Sequence, residues 1–510
     1  MTFRHRRSAQ PQAGPVLTLA VLAVSVVPPI LAQSDLPRFE RAECPVNGAW
    51  AGDARRECGW LTVQESRDSR SSSTARLAVE IFRARAPNGM PPLVMLHGGP
   101  GGAGGIRIYS PFVATGPFAQ HRDVVIYDQR GAGFSQPKLC PTYEAVADSA
   151  RNLGTKAEKD QRWAQGRLAC LAELRAKAID PLAYNTAASA ADLIDLRGTL
   201  GYASWDIFSE SYGARLAQEA MVRDGPAIRS VVLASSVSRS PMRELEAAVS
   251  EQRAFEHLFA ACSAQRTCHE AFPVVEQDFY ADYEQLNDSP LAVSIERPGH
   301  AADTVWLDGT RLVNDIRNRL FPRAPANVAR VPLLLHELRA GDRTRAARAI
   351  VGDGALGPGA DTMGERALRE ITICYDSYSA TDQASLDSVN ALVRPPFRKP
   401  SDHDCEQWLP RFGDPATRTP VRSDIPTLII TGYFDDRTPI EQGRRIAATL
   451  SRAYVFEFPN EGHGARPTGC YVSMLTQFFE DPSRRPDASC IAAIAPIAFM
   501  TSWESRNERP

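Results

Sequence analysis

The sequence has no basic excess, no C-x-x-C pair and, past its first 31 residues, no long apolar run. Each absence removes a class of function. With 58 Lys and Arg against 60 Asp and Glu, the formal net charge is −2. There is no basic patch of the size that nucleic-acid binding needs. Without closely spaced Cys and His, neither a zinc centre nor a thioredoxin-type redox pair is expected. No metal and no cofactor are expected at all. Without a second apolar stretch, no further membrane span is expected. Internal repeats and long low-complexity tracts are also missing. What remains is a chain of 510 residues, 43% hydrophobic and 23% charged, an ordinary globular composition with length for a large core.

Arg4, Arg6 and Arg7 precede an uncharged apolar stretch, Pro15 to Leu31, and Ala32 supplies a small residue before a cut. This is the pattern of an export signal over residues 1–32. An uncleaved anchor is the alternative. It is opposed by a length near the short limit for a span and by Pro28-Pro29. Ile30, third before the cut, departs from the usual alanine. Cleavage leaves 55 basic against 60 acidic residues, a balance of −5, and no stable membrane insertion. The protein is then expected in the periplasm or outside the cell. The ten cysteines agree, being even in number and all after the signal. They fall in neighbouring couples: Cys44/Cys58, Cys140/Cys170, Cys262/Cys268, Cys374/Cys405 and Cys470/Cys490. Sequential pairing is the simplest connectivity, not a deduced one. Ten buried free thiols would suit an oxidising compartment poorly.

Short β-prone runs alternate with helical patterns. The runs are Leu93–Leu96, Asp123–Tyr127, Trp205–Phe208, Ser230–Ala234, Thr427–Thr431 and Tyr454–Phe458. Such alternation predicts an α/β fold with a mainly parallel sheet. Gly59–Val63 and Thr74–Ala84 read as leading antiparallel strands, and Asp192–Gly201 as a helix with Leu193, Leu196 and Leu200 on one face. From about Val237 to Arg422 the strand signal disappears and helical patterns and loops take over. The expected organisation is a signal (1–32), a core (33–236), a helical cap insertion (237–422) and the rest of the core (423–510) with a cysteine-bearing end. Gly352 to Asp361 reads as a mobile loop.

Ser209-Glu210-Ser211-Tyr212-Gly213 joins a strand-like run to a helical one. A serine at such a turn is pushed out of the sheet with its hydroxyl exposed, and small residues two positions away permit the sharp bend. Ser211 has Ser209 and Gly213 as flanks; Ser209 has Ile207 and Ser211, a worse fit. Serine needs a base to take its proton and a third group to orient that base. His463 alone among the histidines follows a late core strand. Asp435 and Asp436 follow another; Asp435 is favoured as the orienting acid and Asp436 reads as a solvated neighbour or turn residue. The loop His97-Gly98-Gly99-Pro100-Gly101-Gly102 follows a strand upstream. It lacks the Lys-Ser/Thr ending of a phosphate loop. Its glycines suit close backbone approach to an oxyanion, with the amides of Gly99 and Tyr212 as donors.

Together, His97–Gly102, Asp128-Gln-Arg-Gly-Ala-Gly-Phe-Ser135, the Ser211-Tyr-Gly elbow, Asp435 with Thr438-Pro439, and Gly462-His463-Gly464 resemble the proline iminopeptidase and tripeptidyl aminopeptidase group of α/β-hydrolases. The secreted tripeptidyl aminopeptidase-like branch is the most similar, over roughly residues 44 to 490. Cys262/Cys268 and Cys470/Cys490 lie where that branch would have them. The resemblance implies an α/β-hydrolase fold with a helical cap and hydrolysis of substrates with a free amino terminus. It also implies a carboxylate for that ammonium, for which Glu210 and Asp376 are the candidates, although Glu210 reads more readily as a structural hydrogen-bonding acid and Asp376 as a helix-end residue. Two positions depart from the pattern: Ser209 stands where glycine is usual, and Ala234-Ser235-Ser236 where an aspartate-glycine pair is common.

The leading expectation is therefore a secreted serine aminopeptidase using Ser211, His463 and Asp435. An esterase or small-molecule amidase with the same triad is the first alternative. A non-catalytic binding protein on a hydrolase scaffold is the second.

Overall fold

The computed structural model describes residues 36–46, 51–67, 73–151, 153, 155–239, 243–295, 303–320, 325–354, 365–377, 383–398, 405–464 and 469–503. The export-signal reading falls on residues 1–32, outside the described residues. Three antiparallel strands lead: β1 (Arg38–Ala42), β2 (Arg56–Gln64) and β3 (Thr74–Phe82). Six parallel strands follow: β4 (Leu93–Leu96), β5 (Val124–Tyr127), β6 (Trp205–Glu210), β7 (Ile228–Ala234), β10 (Thr427–Gly432) and β11 (Ala453–Phe458). All nine form one sheet in the order β1-β2-β3-β5-β4-β6-β7-β10-β11. This is an α/β-hydrolase fold.

The six parallel strands stand where the apolar runs predict them, because strands covered on both faces read as continuous hydrophobic segments. β4 shows this: Val94 and Leu96 join one core cluster, Leu93 and Met95 the other. β1 gave no such signal. Its sequence, Arg-Phe-Glu-Arg-Ala, lies at the sheet edge and is largely exposed. The predicted helix 192–201 begins earlier, at Thr186, because the Asn185 side chain accepts from Ala188 N–H at 2.8 Å and caps it. The strand order turns at β4: the chain goes from β4 to β5 on one side and crosses to β6 on the other. The crevice at the carboxyl ends of β4 and β6 is the switch point where ligands bind in such sheets.

Between β7 and β10 the chain is mainly helical, with one pair of strands. β8 (Leu291–Ile295) and β9 (Asp303–Leu307) pair antiparallel there. Phe255, Phe279 and Phe397 centre a hydrophobic cluster in this region that also takes in Phe434. Gly352, expected in a loop, ends up inside the Arg343–Gly354 helix; residues 355–361 lie outside the described residues.

The ten cysteines form five disulfides: Cys44–Cys58, Cys140–Cys170, Cys262–Cys268, Cys374–Cys405 and Cys470–Cys490. No helix of the described residues is long and apolar enough to cross a membrane. The five disulfides are consistent with an exported protein.

Candidate active site

Ser211 leaves β6 with φ +57° and ψ −120°, and the Tyr212–Arg223 helix starts at the next residue. A non-glycine residue in such a conformation costs about 1–3 kcal/mol. Ser211 N–H donates to Ala234 O at 2.9 Å, and Ala214 N–H donates to Ser211 O at 3.0 Å. At about 1 kcal/mol each, these bonds offset much of the strain. Gly213 has no room for a side chain: a Cβ would lie 2.3 Å from Leu96 O. The first flank has more freedom. Ser209 is buried with its hydroxyl donating to Val232 O at 2.7 Å, so it fits where glycine is usual and is not available as a nucleophile.

His463 follows β11. Its Nε2 lies 2.9 Å from Ser211 Oγ, and its Nδ1 lies 3.0 Å and 3.2 Å from the two oxygens of Asp435. Asp435 sits in the turn after β10, where Oδ1 accepts from the N–H groups of Arg437 at 2.9 Å and Thr438 at 2.7 Å. The Thr438 hydroxyl donates to Asp435 Oδ2 at 2.8 Å and stands 3.0 Å from His463 Nδ1. Since an ionised carboxylate only accepts, that hydroxyl spends its proton on Asp435 and presents a lone pair to Nδ1. This favours a proton on Nδ1 and leaves Nε2 free to accept from Ser211. Burial pushes the Asp435 carboxyl up. The adjacent His463 and the donors from His463, Thr438 and Arg437 outweigh it, and hold it well below the usual carboxylate range.

Asp436 is not the solvated neighbour the sequence suggested. It is buried, with Arg317 Nε of the insertion at 3.4 Å and Arg437 Nε at 3.7 Å from its Oδ2. Burial raises its pKa, partly countered by those two guanidinium groups.

The glycine loop after β4 packs on the elbow: a Cβ on Gly98 would lie 2.8 Å from Ser211 Cβ. Gly99 has φ +128°, a value that favours glycine, and precedes a cis bond to Pro100. The loop is braced from within. Gln129 Nε2 donates to His97 O at 2.9 Å, and His97 Nδ1 lies 2.8 Å from Gly98 O. His97 itself is fully buried, which pushes its pKa down to about 4. Gly99 and Tyr212, the expected oxyanion donors, thus belong to the two segments adjoining Ser211. The Asp128–Ser135 motif is scaffold: Asp128 accepts from Ile106 N–H at 3.0 Å and Phe134 N–H at 2.7 Å, and Arg130 pairs with Asp192 at 2.7 Å.

The two candidate ammonium ligands have different surroundings. Glu210 is half-buried beside Ser211 and lies against the His463–Gly464 turn, where its Oε1 would be 3.0 Å from a Cβ on Gly464. Asp376 is 3% exposed, and its carboxylate accepts from both the N–H and the hydroxyl of Thr186. A carboxylate so enclosed is turned toward Thr186.

Two residues that the sequence named without giving them a role belong to the site. Thr438 had a signal in its three-residue spacing from Asp435. Ser235 had none. It directly follows β7 with φ +46°, and its hydroxyl accepts from Gly464 N–H at 2.9 Å, tying the turn that carries His463 to the strand end that receives Ser211 N–H. Only three described non-glycine residues have positive φ, and two of them, Ser211 and Ser235, lie here; such strain persists where the surroundings over-determine it.

Two family models match parts of the chain. Residues 91–260 match the family model described as alpha/beta hydrolase fold. Residues 396–490 match the model described as TAP-like protein. No curated protein is close enough in sequence to match. Among solved structures, proline iminopeptidase from Mycobacterium smegmatis is 16% identical with a TM-score of 0.39, over 80% of this chain and 96% of that one. An α/β hydrolase, MGS-M2, from a Medee basin deep-sea metagenome library is 13% identical with a TM-score of 0.36, over 80% and 95% of the two chains. A thermophilic esterase from Thermogutta terrifontis is 15% identical with a TM-score of 0.30, over 78% and 89%. The family matches support a hydrolase.

Proposed function

We propose that the protein is an exported serine hydrolase, an aminopeptidase that releases residues or short peptides from a free amino terminus. The observation that carries this is the hydrogen-bonded series from Ser211 Oγ through His463 to Asp435, at 2.9 and 3.0 Å. In this reading Ser211 Oγ adds to the scissile carbonyl carbon and its proton passes to His463 Nε2. The carbonyl oxygen becomes an oxyanion, received by the amides of Gly99 and Tyr212. Collapse expels the amine, which takes the proton from His463 and leaves an acyl-serine. Water repeats the sequence: it gives its proton to His463, adds to the acyl carbon, and the proton returns to Ser211 as the acid departs. Glu210, one residue from the nucleophile and against the His463–Gly464 turn, is assigned to the substrate ammonium.

Substrate class is tested with p-nitroanilides and p-nitrophenyl esters. Aminoacyl and tripeptidyl nitroanilides with free amino termini are expected to be cleaved, and the same compounds with blocked termini refused. Ester turnover without any nitroanilide turnover would replace the aminopeptidase with an esterase. A fluorophosphonate should add one adduct to the folded chain, at Ser211; an unmodified intact mass would count against serine catalysis altogether.

Ser235 offers a separation of activity from stability. Ser235→Gly relaxes a positive φ worth about 1 kcal/mol but removes the acceptor for Gly464 N–H. The expected result is a melting temperature unchanged or raised, with kcat lowered about 3- to 10-fold by a less well held His463. A variant as active as the wild type would show that the hydroxyl has no part in placing the histidine.

A further inference from the structure

The Arg366–Ser377 helix of the insertion engages both segments that adjoin Ser211. At its leading end, Glu365 N–H donates to Gly101 O at 2.6 Å, and a Cβ on Gly101 would lie 2.4 Å from Glu365 O. The glycine loop therefore lies flush against the start of this helix, which Lys138 steadies through Glu365 at 3.0 Å. At its trailing end the enclosed Asp376 carboxylate accepts from Thr186 N–H at 3.1 Å and from the Thr186 hydroxyl. The same Thr186 oxygen lies 2.8 Å from the Tyr212 hydroxyl. With Asp376 ionised, Thr186 gives its proton to the carboxylate and accepts from Tyr212. The Asp376 main-chain oxygen is held as well, by Arg215 Nη2 at 3.0 Å and Arg418 Nε at 3.2 Å. Arg215 comes from the first turns of the elbow helix. Finally, Cys374, two residues before Asp376, is bonded to Cys405.

We propose that this helix is a positioning strut for the oxyanion site. Asp376, acting through Thr186, fixes the Tyr212 ring and with it the first turn of the elbow helix. Glu365 fixes the loop that carries Gly99. The insertion then does more than enclose substrate: the two donor amides keep their separation because one helix holds both. Asp376 and Thr186 are positioning residues, not ligands of the substrate. This inference rests on the serine-hydrolase reading and deepens it.

The test uses the full chain, a chromogenic p-nitrophenyl ester or nitroanilide that the wild type hydrolyses, and phenylboronic acid, which forms a tetrahedral adduct on an active serine. Tyr212→Phe and Thr186→Val each remove one link. Both are expected to lower kcat about 10- to 100-fold, to leave KM within about twofold, and to weaken boronate binding by the same factor as kcat. Thr186→Ser, which keeps the hydroxyl, is expected to recover most of the loss. Asp376→Asn should resemble Thr186→Val; Tyr212→Phe, which deletes one oxygen only, keeps the test sound if Asp376→Asn does not fold. Unchanged kcat and boronate affinity in Tyr212→Phe and Thr186→Val, with an active wild type, would overturn the strut and leave the triad reading intact. A wild type that no fluorophosphonate labels would remove the triad reading and the strut with it.

Discussion

Replacing Ser211 with alanine is expected to lower kcat/KM by about 10⁶-fold toward any ester or amide that the wild type hydrolyses, with little change in stability. The size of the effect follows from what alanine removes. Acyl transfer needs an oxygen nucleophile at the strand-to-helix turn, and the other serine in the elbow cannot supply one. Ser209 is buried and its hydroxyl is committed to Val232 O at 2.7 Å. The residual activity would come from the oxyanion donors and from substrate binding, which act without the nucleophile. Stability should hold because alanine keeps the Cβ, so the strain at φ +57° is unchanged. The hydrogen bond lost, to His463 Nε2, is only part-buried, so water can replace it. Steady-state kinetics and intact-mass analysis after fluorophosphonate treatment check this. Substantial turnover by Ser211→Ala would sink the assignment of the nucleophile.

The second large effect separates two adjacent acids. Asp435→Asn is expected to lower kcat about 10³- to 10⁴-fold, Asp436→Asn no more than about threefold. An asparagine at 435 can turn its amide N–H toward His463 Nδ1. That selects the tautomer with the proton on Nε2, which cannot accept from Ser211. The loss should fall short of complete because Thr438 Oγ1 remains 3.0 Å from Nδ1 as an alternative acceptor. It should be deeper in the double variant Asp435→Asn with Thr438→Val. Asp436, by contrast, faces Arg317 and Arg437. Its burial makes the charged form costly, so a neutral amide of the same shape is tolerated or even stabilising. Equal losses from the two substitutions would mean that Asp435 does not orient the histidine.

The parallel core was legible because its signals are local. A strand buried on both faces, such as Thr427–Gly432, is apolar over its whole length in any homologous or unrelated context. A turn that admits no side chain at Gly213 must place a glycine there. The edge strand Arg38–Ala42 and the paired strands β8 and β9 were not legible, since their residues are partly exposed and carry no continuous apolar run. Of the site, Ser211, Asp435 and His463 could be picked out because each follows a recognisable strand. Ser235 could not, because neither its left-handed backbone nor its bond to Gly464, 229 residues away, leaves a trace in the neighbouring sequence.

By itself the sequence determined the alternation of strands and helices, the serine at the elbow and the order of acid and histidine after it. All of these depend on residues within a few positions of one another. The tertiary structure alone decided which way each carboxylate faces. Asp435 and Asp436 are chain neighbours, yet the turn after β10 sends one toward His463 and the other toward the insertion. Asp376 and Glu210 were not distinguishable in the sequence, and packing of the Arg366–Ser377 helix places the Asp376 carboxylate against Thr186. Side-chain direction is set by backbone dihedrals and by the segments packed around it, and those come together only when the chain is folded. The hydroxyl exposed at Ser211 is a local consequence of its turn; the histidine at 2.9 Å from it is brought from 252 residues away.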